Sequence, residues 1–271
     1  MIRLAPLALT LALAGCAGSG AGPRSAGPDL YVLVGQSNMS GFGRLDALTS
    51  DERVADPAIR LYANDGTWKP ALDPLDDATG QVDPVSADPS AGVGPGLFFA
   101  RDMRRTGARA IDLVPCAKGG SAIARWAPAP GRDTLYGSCR ARIAEAGGRP
   151  AGILWYQGEA DTRTPELAAS WAGRFAAMVA AFRRDFNAPR LPVVVVELSD
   201  RDPRPEGATR YPGWATVQAA QRALKIPCVA TVTATGLPKN PDRLHVATEG
   251  YRVLGPRIAA AMRKLRATGC R

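Results

Sequence analysis

Among 271 residues there is a single histidine, His245. A zinc centre built from clustered histidine and cysteine therefore has little to draw on. Aromatic residues are scarce too, at 6%, and do not interleave with the basic ones. The net charge of +9 thus lacks the pattern of a nucleic-acid surface. Its arginines and lysines gather on stretches such as 101–105, 183–184 and 263–266, which read as solvated helix faces. No segment repeats. No apolar run reaches the roughly 20 residues that a membrane-spanning helix needs. What remains is ordinary globular material: 46% hydrophobic, enough for a full core, and 22% charged, which excludes global disorder.

One short apolar run has a different meaning. Arg3 precedes Leu4–Ala14, and the run ends in Leu13-Ala14-Gly15-Cys16. A cleaved secretory leader with an incidental cysteine would share the apolar stretch. The bacterial lipobox, which this resembles, accounts for all four final positions. It implies that Cys16 is lipidated and anchors an exported protein to a membrane, facing the periplasm or the cell surface. Residue 17 is alanine, not the aspartate associated with inner-membrane retention. Residues 1–16 are then a leader and 17–28, rich in Gly, Ala, Ser and Pro, a flexible tether. Residues 29–271 form the folded domain.

Four cysteines remain, an even number that permits two disulfides in an exported chain. Cys116 ends one expected strand and Cys139 begins the following helix. Cys228 begins another strand and Cys270 ends the last helix. Placement at opposite edges of the sheet favours Cys116–Cys139 and Cys228–Cys270, although sequence alone does not fix connectivity.

From Asp29 onward, short apolar runs alternate with amphipathic stretches. Residues 30–34, 110–114, 153–156, 191–198 and 229–232 read as buried strands, the fourth being almost continuously β-branched. A helix begins at Thr164-Pro165, with apolar positions Leu167, Trp171, Phe175, Met178 and Phe182. The last helix carries Tyr251, Leu254, Ile258, Met262 and Leu265, and Pro256 should kink or restart it. The expected fold is α/β: a three-layer α/β/α sandwich around a five-stranded parallel sheet, flavodoxin-like. Residues 44–92 interrupt the alternation, with turn-forming Asp-Pro pairs and only a short strand at 59–62. Asp73, Asp76, Asp77, Asp83 and Asp88 match no calcium-loop spacing. The segment reads instead as a variable wall of the site.

Ligands of an open parallel sheet bind beyond the carboxyl ends of its strands. After the first strand comes Gly35-Gln36-Ser37-Asn38-Met39, where glycine allows a sharp turn that lifts a serine hydroxyl to the surface. Helix N-caps share this pattern. After the second comes Lys118-Gly119-Gly120-Ser121, either a plain turn or a backbone N–H aimed into the cleft. After the third comes Trp155-Tyr156-Gln157-Gly158-Glu159-Ala160-Asp161. A lone histidine is more often structural, but Asp242 three residues before His245 can hold the tautomer that a serine nucleophile requires.

GQSNM, KGGSAIARW, WYQGEAD and DRLH occur in that order, from about Asp29 to the C-terminus. The set resembles the sialate O-acetylesterase and acetylxylan esterase branch of the SGNH hydrolases, carbohydrate esterase family six. The resemblance implies a carbohydrate O-acetylesterase acting on acetylated sugars, with no cofactor and no metal. It implies Ser37 as nucleophile, His245 as base and Asp242 as its orienter. The oxyanion hole would come from the Ser37 and Gly120 N–H groups and the Gln157 side chain, where most SGNH enzymes use asparagine. Gln36, Asn38 and Glu159 would support them. Glu159 and Asp161 read equally as loop braces or sugar contacts. The sequence departs from the pattern at Ser121, where threonine is as common, and at Pro256. Neither change removes a catalytic group.

Other readings fit less well. A lipase of the α/β-hydrolase type wants G-x-S-x-G, absent around Ser37. A sugar-binding lipoprotein without activity has no need of the full set Ser37, Asp242 and His245. A nucleotide loop at Gly92-Val93-Gly94-Pro95-Gly96 lacks a preceding strand and carries a proline.

Overall fold

The computed structural model describes residue 1, residues 27–107 and residues 109–270. The expected leader after residue 1, Cys16 included, and nearly all of the tether lie outside these. Strands form at Asp29–Gly35 (β1), Ile59–Tyr62 (β2), Trp68–Pro70 (β3), Ile111–Pro115 (β4), Pro150–Tyr156 (β5), Val193–Glu197 (β6) and Val229–Thr233 (β7). They make one sheet in the order β3-β2-β4-β1-β5-β6-β7. The expected count of five is therefore wrong: the described residues hold seven strands.

The two additions lie at one edge. β2, foreseen only as a short strand within a loop, pairs in parallel with β4 from Ile59↔Ile111. β3 runs back antiparallel to β2. All three β3 residues are exposed, so no buried alternation marks them in the sequence. Pro70 is tolerated because an edge strand leaves one N–H row unused. The Arg60 guanidinium covers the Trp68 ring at 4.6 Å.

Seven α-helices are described: Ser37–Ser40 (α1), Pro95–Arg105 (α2), Leu135–Glu145 (α3), Pro165–Asp185 (α4), Pro205–Arg210 (α5), Trp214–Arg222 (α6) and Thr248–Ala267 (α7). They cover both faces of the sheet. On β5, a Cβ added at Gly152 would lie 2.6 Å from Met262 of α7. Trp155, three positions on and so on the other face, meets Phe175 of α4 at 5.7 Å between ring centroids. Thr164 caps α4 by accepting the Leu167 N–H at 3.3 Å. Trp171, Phe175, Met178 and Phe182 all reach the core.

Pro256 does not restart the last helix, one of the two expected outcomes: α7 runs unbroken through it. The reason is tertiary. Gly255 lets α7 press so closely on α2 that a Cβ there would fall 2.4 Å from that of Phe98. This packing outweighs one missing hydrogen bond.

Both expected disulfides form. Cys116–Cys139 ties the end of β4 to α3, and Cys228–Cys270 ties the start of β7 to the end of α7, with Cα separations of 5.4 and 4.8 Å. The aspartates of 73–88 are drawn to separate partners. Asp83 takes Arg132 and Ser138, Asp76 takes Asn64, and Asp77 takes Thr79. The Gly92–Gly96 glycines serve close backbone approach: the Gly92 N–H donates to the Gly41 carbonyl at 2.7 Å.

The chain leaves β1 toward β2 and β4 on one side, then returns to β5 on the other. The strand order reverses there, opening a crevice beyond the carboxyl ends of β4, β1 and β5.

Candidate active site

At the end of β1, Gly35 has φ +150°, and a Cβ on it would lie 2.1 Å from the Tyr156 carbonyl oxygen. Only glycine passes that close to β5. The chain turns, the Gln36 N–H donates to that same carbonyl at 3.0 Å, and Ser37 opens α1 in the crevice. Its Oγ lies 2.9 Å from His245 Nε2. On the far side of the ring, Nδ1 lies 2.6 Å from Asp242 Oδ2.

Asp242 does more than face the ring. Its Oδ1 accepts the backbone N–H groups of Leu244 and His245, each at 2.9 Å. This local turn holds Arg243 in the left-handed region at φ +60°, uncommon for a residue with a side chain. Burial pushes the Asp242 carboxyl up, but the His245 ring and the two N–H groups outweigh it and hold it below its ordinary value. The imidazole stacks on Phe42 at 4.0 Å between centroids.

Asn38 grips the histidine segment from both sides. Its Oδ1 accepts the Val246 N–H at 3.0 Å and the Tyr251 hydroxyl at 3.0 Å. Its Nδ2 donates to the Leu244 carbonyl at 3.4 Å and to Glu159 Oε1 at 2.5 Å. Burial raises the Glu159 carboxyl above its ordinary value, and its second oxygen has no partner among the described residues.

Two residues lining the crevice carry backbone N–H groups of interest. Ser37 N–H belongs to the first turn of α1, where helical donors have no partner within the helix. Gly120, at φ +67°, follows Gly119, whose N–H donates to Asp88 Oδ2 at 2.8 Å. That oxygen also accepts the Ser40 hydroxyl at 2.8 Å, so Asp88 pins the glycine turn beside α1. Neither the Ser37 nor the Gly120 N–H has a protein acceptor among the described residues.

Gln157 departs from expectation. Its side chain does not project into the crevice but is fully buried. Its Nε2 donates to Asp161 Oδ2 and, at 3.0 Å, to the Ser121 carbonyl, while its Oε1 accepts from Trp171 Nε1 at 2.9 Å. Both N–H groups are engaged, so neither is free for an oxyanion. The strand period explains it: side chains two apart share a face, and Gln157 follows Trp155 toward α4. Gln36 Oε1, accepting the Ala160 N–H at 3.2 Å, and Asp161, accepting the Ile123 N–H at 2.9 Å, extend the same buried brace.

The crevice holds two adjoining cavities. One, about 420 Å³, is lined by Ser37, Phe42, Gly120 and Arg163 among others. The other, about 240 Å³, lies past His245 and shares Arg210, Tyr211, Leu244 and His245 with the first. Residues 44–92 supply Asp88, Pro89 and Ser90 to the first and nothing to the second. The expected wall thus reaches the first cavity, while residues 202–214, which follow β6, build most of the second. The rule that sites form beyond strand ends points to that segment, yet its composition carries no motif. Asp88 had no sequence signal beyond its place in an acidic stretch.

A family profile described as "Carbohydrate esterase, sialic acid-specific acetylesterase" matches residues 27–264. A probable carbohydrate esterase of Arabidopsis thaliana is 32% identical over 252 residues, covering 86% of this chain and 89% of the relative. A solved Arabidopsis thaliana structure superposes with a TM-score of 0.74 at 32% identity, over 87% of this chain and 98% of that one. The structure of a carbohydrate acetylesterase from Xanthomonas citri gives 0.67 at 23% identity, over 89% and 57% of the respective chains. That of NanS gives 0.66 at 18% identity, over 89% and 98%. At such identity the last two speak for the fold alone.

Proposed function

Because the chain belongs to the sialic acid-specific acetylesterase family of carbohydrate esterases, we propose that it removes acetyl groups from O-acetylated sugars, with Ser37, His245 and Asp242 forming an acyl-enzyme. The observation that carries the reading is the unbroken line of contacts from Ser37 Oγ through the imidazole to Asp242, 2.9 and 2.6 Å long. It lies in the crevice where the strand order reverses.

His245 Nε2 takes the Ser37 proton as Oγ bonds to the ester carbonyl carbon. Asp242, accepting from Nδ1–H, keeps Nε2 unprotonated beforehand and stabilises the imidazolium that results. The carbonyl oxygen gains charge between the Ser37 and Gly120 N–H groups, which are fixed before the reaction and so need no reorganisation. The imidazolium then returns its proton to the departing sugar oxygen as the C–O bond breaks. Water, deprotonated by the same nitrogen, releases acetate and restores the serine. With Gln157 engaged elsewhere, two backbone donors carry the oxyanion.

Acetate release from acetylxylan, O-acetylated sialic acid, O-acetylated peptidoglycan and 4-nitrophenyl acetate tests the reading. Hydrolysis of the aryl ester with no release from any carbohydrate would end it. The proposal extends to location: Cys16 carries acyl chains that hold the enzyme at a membrane, each buried CH₂ contributing about 0.8 kcal/mol. Cys16→Ser should shift the protein to the soluble fraction and remove the acyl mass. Unchanged partitioning and unchanged mass would refute the anchor.

A further inference from the structure

We propose that the smaller cavity past His245 is a subsite for a neutral, hydroxyl-rich glycosyl unit on the leaving-group side of the ester, with Glu206 and Arg210 contacting its hydroxyls. The assignment rests on the esterase reading above. Reaction geometry sets the direction. The carbonyl oxygen must face the Gly120 N–H on the β4 side, and the departing oxygen must come within reach of His245 Nε2, which reprotonates it. The sugar therefore extends from the reaction centre past His245, away from Gly120. The space there is the cavity of about 240 Å³, bounded by Asp242, Leu244 and His245 on one side and by α5, Tyr211 and Trp214 on the other.

The chemistry of its wall fits a sugar. Asp202 is committed: it pairs with the Arg204 guanidinium at 2.5 Å and accepts the Arg204 N–H at 3.1 Å. Glu206 and Arg210 are not. They stand four residues apart on α5, a spacing that puts side chains on one face, yet no ion pair joins them among the described residues. The Arg210 guanidinium rests over the Tyr211 ring, 5.4 Å from its centroid. An acceptor-only carboxylate beside a donor-only guanidinium matches adjacent hydroxyls, each of which both donates and accepts. Tyr211 and Trp214, both largely buried, line the cavity behind them. The charges lining the cavity cancel: Asp202 against Arg204, Glu206 against Arg210 and Asp242 against Arg243. That balance favours an uncharged sugar over an anionic one.

The test compares the wild type with Glu206→Ala, Arg210→Ala and the double variant, their folding checked by thermal midpoint. Substrates are an O-acetylated xylo-oligosaccharide, O-acetylated sialic acid and 4-nitrophenyl acetate. The double variant should lose about tenfold or more in kcat/KM on the xylo-oligosaccharide, through KM, as loss of two hydrogen bonds implies. Hydrolysis of the aryl ester should stay within twofold. An unchanged KM on the xylo-oligosaccharide, an equal loss on all three substrates, or a loss confined to the sialic acid substrate would each overturn the subsite. A wild type active only on the aryl ester would instead mark failure of the carbohydrate reading itself, and the subsite would fall with it.

Discussion

On the serine side of the crevice the holding groups are buried: Gln36, Asn38, Gln157, Glu159 and Asp161 are all at most 3% exposed. On the histidine side the Asp242 side chain is 45% exposed, and its contacts run no further than His245, three residues away. The serine half is a network joining β1, β5, α4 and the turn after β4, in a medium of low dielectric where each polar group depends on its partners. On the histidine side Asp242 sits in a local turn at the surface, where water screens its charge, although Asn38 and Phe42 hold the segment that carries His245. The contrast separates two kinds of dependence. Removing a buried holding group around the serine should damage the fold along with the chemistry. Breaking the histidine half should damage the chemistry and spare the fold.

The strongest test of that division removes the reacting groups. Ser37→Ala and His245→Ala should each lower kcat on the order of 10⁴-fold or more, and their combination should be scarcely worse than either alone, since they act as one unit. Thermal midpoints should stay near that of the wild type. Activity within tenfold of wild type in His245→Ala would remove the histidine from the mechanism.

Gln157→Ala should behave differently. It strands Trp171 Nε1 and the buried Asp161 carboxylate, and each lost buried partner costs about 1–3 kcal/mol. Denaturant titration should therefore reveal a large loss of stability, with activity falling alike on aryl and carbohydrate esters. If stability holds while kcat alone drops by roughly 10²–10³, as for loss of an oxyanion donor, Gln157 turns into the crevice during the reaction. The buried brace would then be mobile.

The smallest effect concerns two carboxylates near His245 that are shifted in opposite directions. Asp242 lies below its ordinary value, so the folded chain releases this proton more readily. Its contribution to stability is present above the unfolded value of about 3.9 and disappears as pH falls through the lower folded value. Glu159 is raised by burial, so the folded chain holds its proton more tightly. That contribution is present below the ordinary glutamate value and disappears as pH rises through the raised one. Thermal midpoints across that range should show Glu159→Gln flattening the decline toward neutral pH. Asp242→Asn should flatten the decline toward acid. An unchanged pH profile in Glu159→Gln would mean that its carboxyl is not penalised by burial.

Strand and helix positions were legible where burial left a period in the residues. The four consecutive valines of β6, the stripe on α4 and the glycine turn before Ser37 each state a local requirement. β3 was not legible because exposed edge residues answer to no such requirement. Pro256 gave no restart because local propensity, which argues for one, is outweighed by the close fit of Gly255 against α2, a contact from far along the chain.

The residues of the candidate site divide in the same way. Asp242 and His245 lie three apart, and a single turn relates them, so their partnership could be read from spacing. The glycine turns at strand ends left Ser37 and Gly120 each with two readings, and the family resemblance chose between them. The amino-acid sequence by itself thus determined the α/β alternation and the strand ends at which the candidate site residues stand, because each follows from short-range periodicity or local backbone freedom; it favoured the cysteine pairing without fixing it. Tertiary structure alone decided that Gln157 faces inward, that Asp88 pins the Gly119 turn, and that residues 202–214 wall the second cavity, which 44–92 does not reach. Those outcomes depend on which partners lie opposite after the sheet has closed, and the hydrogen bonds concerned join residues up to 121 positions apart.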